Sequence, residues 1–152
     1  MLLFLAFLIG IIAGLRALTA PAAVAWGAAL GWFDVSHTPL AFMGYRWTPW
    51  IFTLLAMVEL VTDQLPSTPS RKVPMQFGAR LIMGALSGAT IGAAGGSLIP
   101  GLIAGILGAA AGTLGGAAAR AKLASVFHRD PPAAILEDAV AIVGAILIVA
   151  SV

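Results

Sequence analysis

Cysteine is absent from this 152-residue chain, which excludes disulfides, thiolate metal sites, iron–sulfur clusters and cysteine nucleophiles. Charge is nearly as scarce. Lys and Arg together number 8 and Asp and Glu 6, so charged residues make up 9% of a sequence that is 61% apolar, too few to cover the surface of a soluble domain of this length. The Ala, Gly and Leu runs also lack the two-residue alternation over about 10 residues that a membrane β-barrel requires. No serine has a plausible triad, H-E-x-x-H does not occur, and no nucleotide or redox-cofactor motif is present. The expectation is a protein without enzymatic activity, cofactor or bound metal; His37 and His128 read as loop histidines on opposite sides of a membrane.

What the chain has is hydrocarbon-compatible length. With a mean hydropathy of +1.04 and several apolar stretches of roughly 20 residues, it is expected to be one all-α transmembrane domain over 1–152, a bundle of about five spans. Its pI near 9.7 rests on a net charge of only +2, with the basic residues scattered, so membrane lipid rather than nucleic acid is the expected partner. The N-terminal run has no basic leader and continues well past a signal peptide's apolar core, so it reads as a retained helix.

The first apolar segment, 2–33, would be about 48 Å long as one helix, more than a single straight crossing, with Gly14, Arg16 and Pro21 as the expected break. It makes either one kinked span, giving five crossings, or a hairpin of two short helices, giving six. Residues 34–47 read as an interfacial loop, with Trp32, Tyr45, Trp47 and Trp50 at headgroup level. Thr48 as cap and Pro49 in the first position open a span over 48–65. A polar, proline-rich connection comes next, then spans at 77–94 and 101–123. Asp130-Pro131 starts the last span, to 152. Basic loops 66–76 and 120–132, against Arg46 alone in the opposite loop, place those loops in the cytoplasm of an inner (plasma) membrane.

Small residues four apart mark helix faces that let another backbone approach closely: Gly84, Gly88 and Gly92, then Gly101, Gly105, Gly108, Gly112 and Gly116. They predict a packing seam within the chain, or between copies in a homo-oligomer or larger membrane complex. Charges inside apolar segments cost roughly 2.5 to 3.5 kcal/mol each, so Arg16, Glu59, Asp63, Arg80, Glu137 and Asp138 are expected to face inward and gather. Arg16 is expected to pair with Glu59, and Arg80 with Asp63 or Glu137. Four carboxylates against two arginines leave an excess of acid, as a proton, ion or small-solute route would need. The competing reading gives these charges a purely structural role in an accessory subunit that docks through its glycine strips.

Gly14-Leu15-Arg16-Ala17, Glu59 followed by Asp63-Gln64-Leu65-Pro66, and a glycine-rich helix pair ending Ala119-Arg120-Ala121 together resemble a bacterial integral-membrane family, the domain of unknown function 4126. The resemblance covers most of the chain. It implies a small inner-membrane protein, carries no activity with it, and falls on Arg16, Glu59, Asp63 and Pro66. A short internal similarity, Gly14–Leu18 against Gly78–Ile82, each followed by an acidic pair, suggests a weak inverted repeat.

Overall fold

The computed structural model describes residues 1–62, 74–128 and 130–152, and within them all regular structure is helical. The elements are α1 (Leu2–Leu15), α2 (Thr19–Ala29), a short 3-10 helix (Ala41–Gly44), α3 (Thr48–Thr62), α4 (Pro74–Ala94), α5 (Leu98–Phe127) and α6 (Asp130–Ala150). Two of them, Pro74–Ala94 and Leu98–Val126, are long and apolar enough to cross a membrane, while Leu2–Leu15 and Thr48–Thr62 are apolar but shorter. Five full-length spans are therefore not what the described helices display.

The expected break in residues 2–33 falls at Arg16, whose backbone is extended at φ −141° and ψ 107°. The chain reverses direction there instead of kinking. Along α6, Arg16 meets Asp138 and Ile12 reaches the Gly144 position, so α1 runs antiparallel to it. By contrast Thr19, Ala22 and Ala23 share a groove with Ile142, Ala145 and Ile146, and Gly27 lies against Val149, so α2 runs parallel to α6. Hence α1 and α2 form a hairpin with its tip at Arg16–Leu18, the second of the two arrangements the sequence allowed. Pro21 does not cause the break; it occupies the first turn of α2, where a missing N–H has no helical partner to lose. In turn α3 returns antiparallel to α2, with Trp26 donating from Nε1 to Thr53 Oγ1 at 2.8 Å and packing edge-on to Trp50 at a centroid separation of 5.0 Å.

The glycine strips pack inside the chain. Gly84, Gly88 and Gly92 of α4 face Gly105 and Gly101 of the antiparallel α5, so close that a Cβ on Gly84 would stand 2.7 Å from the Gly105 carbonyl oxygen and one on Gly101 2.5 Å from that of Gly88. An adjoining strip of α5 takes α1 in parallel: Gly10 sits on Gly105, Gly14 on Ala109 and Thr113, and Gly108 and Gly112 on Phe7 and Ile11. Such approach gains dispersion contacts that a lipid tail cannot supply. Gly116, one turn farther along, lines a groove between α5 and α6 instead of the seam.

Two further boundaries differ from expectation. α5 continues through Arg120 and Lys122 to Phe127 and stops at His128, which adopts the left-handed region at φ 58°; the run of alanines there favours helix and nothing breaks it earlier. Thr48 opens α3, but its hydroxyl donates to the Phe42 carbonyl at 2.6 Å, tying the helix to the 3-10 turn. In the loop before it, Asp34 accepts from the Ser36 N–H at 2.8 Å, and hydrogen bonding by the Ser36 side chain and backbone holds its carboxyl below the usual 3.8. Trp32, Tyr45, Trp47 and Trp50 are all exposed at this end, and Arg46 lies 5.2 Å from the Trp47 ring centroid.

Candidate functional site

A helical hairpin turned inward creates a problem at its tip: α1 ends with carbonyls, and α2 begins with N–H groups, that no helix turn can satisfy. Side chains from three surrounding helices answer it, two of them charged. From α4, the buried Arg80 donates through Nη1 to the carbonyls of Gly14 and Leu15 at 2.8 and 2.9 Å, placing a cation where the dipole of α1 ends negative. From α3, Glu59 accepts the main-chain N–H of Ala17 at 2.7 Å and of Leu18 at 2.8 Å, placing an anion where α2 begins positive. Thr113 of α5, already bonded to Ala109 at 2.7 Å, lies 3.4 Å from the Gly14 oxygen.

Arg16 is the tip residue itself, and its exposure is 0%. Its Nε donates to Asp138 Oδ1 on α6 at 2.5 Å, and Nη2 approaches the same oxygen. One turn along the cluster, Arg120 Nη1 and Glu137 Oε2 form a looser ion pair at 3.4 Å. Five of the six residues singled out from the sequence therefore converge on or beside the hairpin tip. The sixth, Asp63, lies outside the described residues, as does Pro66. Among the described residues Arg16 contacts Asp138, Arg80 donates to main-chain carbonyls, and Glu137 pairs with Arg120; the expected pairing of Arg80 with Asp63 falls outside them.

With Arg120 inside α5, three arginines gather with the three described carboxylates Glu59, Glu137 and Asp138; Asp63, the fourth carboxylate of the expected excess, lies outside the described residues. The depth of the tip is set by its partners. Arg80 stands six residues into α4 and Asp138 eight into α6, or about 9 and 12 Å from the helix starts at about 1.5 Å per residue.

Two helices, α2 and α3, separate Arg16 from Arg80, so the segments C-terminal to the two arginines leave the tip end in the same direction. Gly14–Leu18 spans the end of α1 and the turn while Gly78–Ile82 lies within α4, so the two similar segments do not share a local structure. His37 and His128 lie at opposite ends of the bundle, and no group of three or more His, Cys, Asp or Glu among the described residues could hold a metal.

Sequence reasoning missed the main-chain atoms at the tip and the role of Arg120. The first depends on seeing a reversal instead of a kink, and the Gly10-x-x-x-Gly14 spacing on α1, the mate of the α5 strip, is the signal that α1 packs as a separate helix. No protein-family model, curated protein or solved structure matches this chain.

Proposed function

We propose that this chain is a multi-pass protein of the bacterial inner membrane in which α1 and α2 form a re-entrant hairpin, and that the charged tip belongs to a route for an ion, a proton or a small solute. At about 1.5 Å per residue, the 14 residues of α1 and 11 of α2 reach only about 21 and 16 Å, short of the roughly 30 Å of hydrocarbon. Such a hairpin is tolerated in lipid only where protein or water surrounds its tip. Arg120 and Lys122 at the tip end of α5, against Arg46 at the other end of the bundle, support a cytoplasmic tip end. Residues 1 and 152 then both face outward. Arg16 and Glu59, two of the positions on which the resemblance to the domain of unknown function 4126 falls, are tip residues in this reading.

The observation that carries the reading is the seat of Glu59. Two converging main-chain N–H groups at a helix start, beside two buried arginines, are an anion-binding arrangement, and Glu59 fills it from a neighbouring helix. A carboxylate tethered in that way acts as a removable plug. Protonation or displacement of Glu59 frees the seat, and the solute passes the tip by the same donors.

One observation favours a second reading, a structural or accessory subunit: the described charges balance three to three, each with a capping or pairing task at the tip. Reconstitution into liposomes with pH- and ion-sensitive dyes separates the two. Flux is expected from the unaltered protein, with at least a tenfold rise in a Glu59→Gln variant that remains monodisperse in detergent, because the neutral amide mimics the protonated, unseated acid. Silence across protons, alkali cations, halides and phosphate, with folding intact, would transfer the conclusion to the accessory reading.

A further inference from the structure

The buried hydroxyls of this fold obey a rule that Thr19 breaks. Ser87, Thr90 and Thr113 each donate to the carbonyl four residues earlier, at 2.8, 2.7 and 2.7 Å, the usual outlet for a hydroxyl within a helix. Thr19 is equally enclosed, at 7% exposure, and its Oγ1 has no hydrogen-bond partner. Its position explains why. It is the first residue of α2, so no preceding turn stands behind it, and the Leu15 carbonyl four residues back belongs to α1 and accepts from Arg80.

Thr19 borders instead a groove of about 210 Å³ between α2, α3 and α6. The walls are apolar, with Ala23, Ala56, Leu60 and Ile146 among them; Thr53 adds a second hydroxyl, whose oxygen accepts from Trp26. Met57 and Ile146 at the rim are exposed, so on the membrane reading above, which this inference requires, the groove opens to lipid. We propose that the groove binds a small neutral amphiphile, an apolar body with one hydroxyl or carbonyl, whose polar atom hydrogen-bonds Thr19 Oγ1.

The chemistry narrows the occupant from three sides. An acyl chain fills apolar volume and leaves the hydroxyl unpaired, which buried polar groups rarely are. A water would have only the Thr19 and Thr53 hydroxyls as partners, the lower limit of the two to four it needs, and would leave most of the apolar groove unfilled. An ion would lose its hydration against an apolar lining. A neutral amphiphile entering from the bilayer meets none of these costs, and the volume, room for about seven water-sized groups, suits a chain of that order.

The test uses the full chain in phospholipid nanodiscs and an octanol carrying a diazirine, with adducts located by mass spectrometry. Saturable labelling of Met57 and Ile146, competed by unlabelled octanol, is expected. Thr19→Val, which keeps the shape and removes the hydroxyl, should weaken apparent affinity about fivefold, and Ala23→Leu should abolish the competed adducts by filling the groove. Equal labelling in Thr19→Val, or diffuse uncompeted labelling that extends to the outward Leu54 and Val143, would overturn the site while leaving membrane embedding intact. A chain that stays out of the nanodiscs would overturn both.

Discussion

Arg16→Gln is expected to lower stability by about 3–5 kcal/mol, the range found when one member of a buried ion pair is removed. Arg16 has 0% exposure and Asp138 19% on its side chain, so the carboxylate left behind has little water to recover. Arg16 also fixes the turn, because its backbone is the extended residue between two helices. The measurement is reversible unfolding in mixed micelles by a denaturing detergent, run as a cycle with Asp138→Asn and the double variant. The double variant should lie closer to the unaltered protein than Arg16→Gln alone. Strict additivity of the two single changes would show that the pair carries no coupling, and the tip would lose its central contact.

Gly105→Val is the second change expected to damage the fold. Gly105 is where three helices meet: Gly84 and Gly88 approach it from α4 and Gly10 from α1, with backbone rather than side chain as the opposing surface. A branched side chain there meets the backbone of Gly84 and Gly88 and has no flexible neighbour to displace, so α4 must move away as a whole. Overpacking of a close-packed core typically costs about 1–3 kcal/mol and sometimes more; a backbone obstacle puts this variant at the upper end. Gly115→Val on the same helix supplies the control, since a Cβ at that position meets nothing within 4 Å. Detergent-solubilised Gly105→Val should aggregate or melt early, while Gly115→Val keeps the parent profile. Equal tolerance of both changes would mean that the seam is not a packing determinant.

Much of this architecture is legible in the residues because lipid-compatible chains are written in strong contrasts. An arginine among leucines is conspicuous, and its cost dictates that it be buried with company, which is why Arg16, Glu59, Arg80, Glu137 and Asp138 stand out in the bare sequence. Gly84, Gly88 and Gly92 likewise declare a face by their spacing. Partner choice is not legible in the same way. That Arg16 reaches Asp138 depends on the direction in which residues 19–29 leave the tip, and local sequence gives no preference between a bend and a reversal at Gly14–Leu18. Arg120 escapes because its charge reads as part of the basic loop 120–132, while the surrounding alanines carry the helix on to Phe127.

The Arg16–Asp138 contact joins residues 122 positions apart. At about 5–20 residues per second of synthesis, about 6 to 24 s pass between the emergence of the arginine and that of the aspartate. During that interval Glu59 and Arg80 are already available to the tip's main chain, while Asp138 is not. The bond at the hairpin's own arginine is therefore the final one of these contacts to close, so a chain released before α6 is made would have its turn capped and its arginine still waiting for this acid.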